Sequence, residues 1–111
     1  MQNSHKNLKI SIITVVKNGM PFLRDAIQSF EEQNYKNKEQ IIVASPSTDG
    51  TTEFLKKKLK DNQKIIFEEE SNGIYNAINL GIKNCTGDIV GVLHADDFLY
   101  QNDLFLTLNN L

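Results

Sequence analysis

The sequence has little of several features that define whole classes of protein. Its 111 residues include one cysteine, Cys85, so no disulfide can form within the chain and a reducing compartment fits best. No apolar run approaches the roughly 18 residues that a membrane-spanning helix needs. The first seven residues, MQNSHKN, are polar and lack the apolar core of a signal peptide. We therefore expect a cytoplasmic protein in which residues 1–7 form a flexible tail.

Concentrated positive charge and the common phosphate-binding motifs are also missing. The net charge is −2 and Arg24 is the only arginine, so nothing favours electrostatic attraction to nucleic acid or to an anionic membrane. The chain contains neither a G-x-x-x-x-G-K-[ST] loop nor a G-x-G-x-x-G fingerprint. These absences argue against P-loop chemistry and against an ordinary dinucleotide-binding fold.

Four short apolar segments rich in β-branched residues predict four strands. They cover residues 8–16, 40–44, 64–69 and 88–93. The strands lack polar alternation, which is typical of a parallel sheet covered on both faces. Short right-handed crossovers between such strands predict a doubly wound α/β fold.

Segments with helical spacing of apolar residues separate these strands. The first follows Pro21 and presents Phe22, Leu23, Ala26, Ile27 and Phe30. The second, with Asp49 or Ser47 as its cap, turns Phe54, Leu55 and Leu59 inward. The third runs from Ile74 to Cys85, where Gly81 suggests a close approach and Gly87 a helix stop. A fourth helix is predicted after the last strand, with Asn102 as its cap.

Ligands of doubly wound sheets bind beyond the carboxyl ends of the strands. That rule selects residues 16–18, 44–50, 69–73 and 94–97, which are rich in polar residues and glycine. Asp96 and Asp97 follow the fourth strand, and adjacent carboxylates are costly to desolvate without a cation. A Mg²⁺ or Mn²⁺ site is one interpretation, and a solvated loop is the other. His94 has three alternative interpretations: a metal ligand, a base, or, more simply, a structural residue that forms hydrogen bonds.

Four stretches of the sequence follow one another in the order and spacing of a known protein family. They are SIITVVKNG, IIVASPSTDGT, SNGIYNAINLGIKNCTGDIVGVLHADD and the helix predicted after it. Together they resemble the inverting glycosyltransferases of family 2, which have the GT-A fold. The third is similar to a pattern of bacterial polysaccharide and lipopolysaccharide enzymes. The resemblance covers residues 8–111 and implies a Rossmann-like α/β/α domain of about four mainly parallel strands, truncated to the donor-binding part. It also implies a nucleoside diphosphate sugar as donor and a divalent metal, Mn²⁺ or Mg²⁺.

The resemblance assigns roles to particular residues. Asp96, supported by Asp97, is implied to hold the metal and diphosphate. The segment after the first strand is implied to line the base and ribose. The nucleotide-sugar-binding residues implied together are Thr14, Val16, Asn18, Ser45, Asp49, Gly73, Asn79, His94, Ala95 and Asp96.

Three features of the sequence depart from the family pattern. Ala44 and Ser45 stand where acids are common in the turn after the second strand, and Pro46 replaces a glycine. His94 takes the first position of the Asp-x-Asp motif, and Asn76 stands where Asp is common. Family members usually continue much further, so we expect the catalytic base beyond Leu111.

The resemblance also predicts what the protein works with. The expected reaction moves a sugar from the donor to an acceptor hydroxyl of a saccharide or lipid-linked molecule, at the inner face of the membrane for the full-length protein. A homodimer is a further expectation, because an uncovered sheet edge favours association. Two alternatives stay open: a non-catalytic nucleotide-sugar-binding or scaffold domain, and a flavodoxin-like response regulator. The latter needs an acid pair after its first strand, where this chain has Val16, Lys17 and Asn18.

Overall fold

The computed structural model describes residues 7–57 and 60–95. Strands and helices alternate along this part of the chain. The order is β1 (Ile10–Val16), α1 (Phe22–Glu31), β2 (Lys38–Ala44), α2 (Thr51–Lys57), β3 (Gln63–Phe67), α3 (Ile74–Asn84) and β4 (Ile89–Val92). The predicted 1–7 tail, except for Asn7, lies outside the described residues, as do Leu59, Asp96, Asp97 and the predicted helix capped by Asn102.

The four strands form one parallel sheet in the order β3-β2-β1-β4. β1 is central and pairs with β2 over its whole length, from Ile10 opposite Lys38 to Val16 opposite Ala44. The predicted α/β sheet of four parallel strands is therefore confirmed. All four carboxyl ends meet at one edge of the sheet, because the strands run in the same direction.

Helices cover both faces of the sheet. Ile10, Ile12 and Val16 of β1 point to the face that α1 and α2 cover, where they pack with Phe30, Leu23 and Leu55. The alternate residues, Ile13 and Val15, pack with Ala77 of α3 on the opposite face. This period-2 division of β1 produces the three-layer α/β/α arrangement.

Burial is complete at the centre of the sheet and falls off at β4. Every residue of β1 is buried, as expected for a strand covered on both faces. In β4, however, Val90 and Val92 are each 44% exposed. They pair with Ser11 and Ile13 on the face of α3, and that helix packs mainly over β1 and β2. The expectation that both faces of every strand are covered therefore does not hold for β4.

A row of polar side chains crosses three strands inside the sheet. The Gln40 amide donates to Oγ1 of Thr14 at 3.0 Å, and the Gln63 amide donates to Oε1 of Gln40 at 3.0 Å. The Gln63 oxygen in turn accepts from the backbone N–H of Lys60 at 3.1 Å. Thr14 and Gln40 are fully buried, so these hydrogen bonds satisfy groups that would be costly to leave unpaired.

Two glycines allow the α3–β4 segment to approach β1. A Cβ atom on Gly81 would lie 2.5 Å from Cγ2 of Ile13, so the predicted close approach at Gly81 exists. Gly87 does not end the helix as predicted, because α3 ends at Asn84 with Cys85 as its C-cap. Gly87 instead lies against Ser11, whose Oγ accepts from the Gly87 N–H at 2.8 Å.

Glu39 is the centre of a polar cluster at the amino end of the sheet. Its Oε2 accepts from Ser11 Oγ and from the Thr86 N–H, each at 2.6 Å. Its Oε1 lies 3.4 Å from Nζ of Lys9. Burial opposes the charged form, but the hydrogen bonds and the Lys9 ammonium outweigh it and lower the pKa of Glu39. The cluster ties β1, β2 and the α3–β4 connection together.

The Glu39 cluster makes stability depend on pH. A carboxyl whose pKa is lowered by folding contributes stability above its unfolded pKa and loses that contribution as the pH falls through the folded pKa. We expect Glu39→Gln to lower the free energy of unfolding by about 1–2 kcal/mol at pH 7, and by less below its ordinary pKa. Urea unfolding at several pH values measures this difference, with exposed Glu69→Gln as control. A deficit that is equal at pH 7 and pH 3 would contradict the role of charge.

Candidate functional site

A cleft of about 520 Å³ opens at the carboxyl edge of the sheet, on the side of α3. It lies where ligands of doubly wound sheets bind. The structure brings six of the sequence-predicted residues together here. They are Val16, Asn18, Ser45, Gly73, His94 and Ala95.

The loop after β1 forms one wall of the cleft and is held by the loop after β2. Asn18 has a φ of +51°, a left-handed conformation that asparagine tolerates better than most residues. Its N–H donates to Ser47 Oγ at 2.9 Å, and its Oδ1 accepts from the Thr48 N–H at 2.8 Å. Ser47 therefore joins the two loops and does not cap α2.

Asp49 continues this connection. Its Oδ2 accepts from the Met20 N–H at 3.0 Å, while its Oδ1 accepts from the Thr51 N–H and hydroxyl at 3.1 and 2.6 Å. The Thr51 hydroxyl, together with the Met20 and Thr51 amides, lowers the pKa of the Asp49 carboxyl against the smaller opposing effect of desolvation. Asp49 does not line the cleft. Asp49 therefore fixes the start of α2 and the loop beside it.

Ser45 lies at the end of β2, at the boundary of the cleft. Its N–H donates to the Val16 carbonyl at 2.9 Å and so extends the pairing of β1 with β2. Its hydroxyl donates to Oε1 of Glu68 at 2.8 Å. The Glu68 carboxylate, which follows β3, is therefore in direct contact with Ser45.

Several of the other residues that line the cleft are apolar. Gly73 precedes α3 with a φ of +90°, a conformation that favours glycine. Ile74 and Ala77 follow it on the helix and line the cleft with Phe22 from the start of α1. Phe22 and Ile74 are 58% and 46% exposed, so Phe22 is not part of the buried helix face predicted for it. Their exposed apolar surfaces are suited to contact with a flat ring.

Besides Asp49, two predicted residues lie away from the cleft. The Thr14 side chain is fully buried, and its Oγ1 accepts a hydrogen bond from the Gln40 amide. Asn79 is exposed and borders a second concavity of about 490 Å³, together with Glu68, Asn72 and Asn76. The residues of α3 that line the cleft are Ile74 and Ala77, and Ala77 is two positions before Asn79.

The cleft is also lined by residues to which the sequence analysis assigned no binding role. They are Val15, Lys17, Gly19, Phe22, Ser71, Ile74 and Ala77. Lys17 and Ser71 lie within the segments 16–18 and 69–73 that the strand-end rule selected, and Gly19 directly follows the first of these segments. Ile74 and Ala77 carry no such signal, because apolar residues at helical spacing indicate a core-facing side.

The described part of the cleft does not hold a metal by itself. Within residues 7–57 and 60–95, no group of three or more His, Cys, Asp or Glu side chains is placed to bind a cation. None of the described residues that line the cleft is a carboxylate, whereas Mg²⁺ and Mn²⁺ prefer carboxylate oxygens. The two acids that suit such an ion, Asp96 and Asp97, directly follow Ala95 in the sequence and lie outside the described residues.

The arrangement defines the class of protein. A parallel α/β/α sheet with a ligand-sized cleft at its carboxyl edge is typical of proteins that bind nucleotides or related ligands there. The family model of glycosyl transferase family 2 matches residues 11–111. The chain therefore belongs to glycosyl transferase family 2, and the response-regulator alternative is excluded. No helix among the described residues is long and apolar enough to cross a membrane.

Relatives that are similar in sequence support the same family assignment. An uncharacterised glycosyltransferase of Rickettsia typhi is 39% identical over 111 residues, which is 99% of this chain and 34% of the relative. A Bacillus subtilis glycosyltransferase named for teichuronic acid biosynthesis, TuaG, is 31% identical over 79% of this chain and 36% of its own length. The chain thus spans about a third of the length of these relatives.

A solved structure shows the same fold. The mannosyltransferase PcManGT of Pyrobaculum calidifontis, in complex with GDP-Man and Mn²⁺, superimposes with a TM-score of 0.81 and is 28% identical. The match covers 93% of this chain and 31% of the mannosyltransferase. The GT-A fold expected from the sequence is therefore confirmed.

Proposed function

We propose that this chain binds a nucleoside diphosphate sugar and forms the donor-binding part of a glycosyltransferase. The observation that carries the proposal is the cleft at the carboxyl edge, where six predicted residues converge. Its volume of about 520 Å³ is within the range of small-molecule sites. The complex of the related mannosyltransferase with GDP-Man and Mn²⁺ supports the same ligand class.

The donor lies across the sheet in this proposal. The nucleoside occupies the end of the cleft beside Asn18 and Ser45, and the exposed faces of Phe22 and Ile74 contact its flat ring. The diphosphate extends toward His94 and Ala95 at the end of β4. Asp96 and Asp97 would then hold a divalent metal there, which would neutralise the charge that builds on the leaving diphosphate.

The proposed reaction transfers the sugar to an acceptor hydroxyl with inversion at the anomeric carbon. The acceptor is a saccharide or lipid-linked molecule of a bacterial cell-surface polysaccharide, a choice supported by the TuaG relative. A base must remove the proton from the acceptor hydroxyl. The full-length protein would act in the cytoplasm, with peripheral attachment to the membrane.

A donor-binding domain without catalysis is the second candidate. Both candidates require the same donor complex. They differ in whether the sugar is released.

Calorimetric titration of the 111-residue chain with UDP-, GDP-, dTDP- and CDP-sugars in Mn²⁺ tests donor binding. We expect one donor to bind with a dissociation constant of about 1–100 μM, and chelation of the metal to weaken it. Failure of all four donors to bind would contradict the proposal. Sugar release without acceptor would distinguish an enzyme from a binding domain.

A pair of variants on α3 locates the binding site in the same titration. Ile74→Trp narrows the cleft and is expected to weaken donor binding. Ile82→Trp is the matched control, since Ile82 is 49% exposed on the same helix but does not line the cleft. Equal effects of both substitutions would place the donor elsewhere.

A further inference from the structure

One face of β4 is left open by the helices that the structure describes. Val90 and Val92 point to the side of α3 and are each 44% exposed. Ile89 and Leu93, on the other side, pack with Phe30 of α1. The uncovered surface of β4 is therefore apolar and lies on the side of α3.

The open face of β4 has room for one more helix beside α3. α3 packs mainly over β1 and β2, and Gly81 brings it against Ile13 of β1. The axes of packed helices lie about 8–10 Å apart, whereas neighbouring strands lie about 4.8 Å apart. A helix placed next to α3 on the side of β4 therefore lies over Val90 and Val92.

The order of the strands selects the same face for the chain that follows β4. From β3 the chain passes through α3 and crosses the sheet to β4 at the opposite edge. α3 lies on the face that a right-handed crossover requires. By the same rule, a helix that follows β4 and carries the chain further in this direction also lies on the α3 side.

The segment that follows β4 carries an apolar stripe of suitable length. Leu104, Leu108 and Leu111 repeat at helical spacing within the helix predicted after Asn102. About ten residues of helix rise roughly 15 Å, which matches the roughly 13 Å of a strand of four residues such as β4. The connecting residues 96–101 reach up to about 20 Å, which is enough to turn the chain back along the strand.

We propose that residues 102–111 dock as a helix on the open face of β4, with their leucine stripe against Val90 and Val92. Burial of these apolar side chains stabilises the docked helix. The short connection to β4 holds the segment at an effective concentration of the order of millimolar. The segment of the same chain is therefore favoured over a second copy as the occupant of this face.

A thiol on the open face measures whether the face is covered. Cys85→Ser removes the single native cysteine, and Val90→Cys places a new thiol under the docked helix. In this background, Leu108→Asp is expected to raise the rate of maleimide labelling at least about tenfold, because the docked state loses a buried leucine. Leu106→Asp is the matched control and should leave the rate unchanged, since position 106 lies on the opposite side of the predicted helix.

A second thiol distinguishes undocking from loss of the whole fold. Val43→Cys, also in the Cys85→Ser chain, places this thiol at a fully buried position in β2. There Leu108→Asp should leave labelling slow, so that the ratio of the two labelling rates rises. A variant that merely unfolds the domain raises both rates together, and an unchanged ratio would overturn the inference. Equal effects of Leu108→Asp and Leu106→Asp would overturn it as well.

Cross-linking identifies the occupant of the open face. A short bis-maleimide reagent joins the thiols introduced by Val90→Cys and Leu108→Cys in the Cys85→Ser chain, and we expect a product with the mass of one chain. A product with the mass of two chains would assign the face to a second copy and overturn the inference, as would the lack of either product. Both experiments omit nucleotide and metal, so their outcome is independent of the proposed donor binding.

Discussion

Asp96→Asn is expected to lower the affinity for the nucleotide sugar by about 100-fold in the presence of Mn²⁺, because the cation loses a charged ligand. Asp96 follows Ala95, which lines the cleft at the end of β4. In a metal chelator the parent and the variant should bind equally, since the metal then contributes to neither. Calorimetric titrations with and without Mn²⁺ measure both quantities.

The matched control for Asp96 is Asp61→Asn. Asp61 is exposed in the turn before β3, at the opposite edge of the sheet from the cleft. It should keep the parent affinity under both conditions. If Asp96→Asn also retained the parent affinity in Mn²⁺, the metal would be held by other residues or would play no part in donor binding.

Gly87→Ala is expected to lower the free energy of unfolding by about 3 kcal/mol, the upper range for forcing an extra methyl group into a packed interior. An added Cβ would lie 2.3 Å from Ser11 Oγ, 2.8 Å from Ser11 N and 2.9 Å from the Lys9 carbonyl oxygen. Two of these atoms belong to the backbone at the amino end of the central strand β1. They cannot move without disturbing the pairing of β1 with β4, so the clash cannot be relieved by a change of rotamer.

Gly91→Ala is the control for Gly87→Ala. Gly91 lies four residues further along, in β4, and a Cβ there would approach only the flexible end of Ile12, at 3.3 Å from Cδ1. We expect the urea midpoint of Gly91→Ala to stay near that of the parent. A Gly87→Ala chain with the same midpoint as Gly91→Ala would mean that the α3–β4 connection shifts to make room.

The strands and their direction could be predicted because the pattern of β1 and β2 leaves few alternatives. The run from Ile10 to Val16 is apolar apart from Ser11 and Thr14, and both of its faces are buried. The order of the strands in the sheet and the exposure of each strand could not be predicted in the same way. The partial exposure of β4 depends on where α3 packs, and nothing in the sequence of Val90 or Val92 differs from that of a buried strand.

The strand ends of the candidate site could also be predicted, since parallel topology alone places them at one edge. The side chains that line the cleft could not be predicted, because they depend on the direction in which each residue of a strand or helix points. Thr14 is two residues before Val16, yet it lies far enough inside the sheet to bond Gln40. On α3 the cleft meets Ala77, whereas Asn79 faces the second concavity. The Glu68 carboxylate behind Ser45 joins positions 23 residues apart, a contact that local sequence does not encode.

The row from Thr14 through Gln40 to Gln63 has a consequence for the register of the sheet. Apolar side chains along β2 and β3 are similar enough that a slip of two residues would still bury apolar groups on the same faces. The same slip would separate Gln63 from Gln40 and leave buried amides without partners. The hydrogen-bonded row therefore penalises misaligned strands more than it adds to the correct one. The row also fixes the alignment of the strand ends, and this alignment allows the side chains of Ser45 and Glu68 to meet.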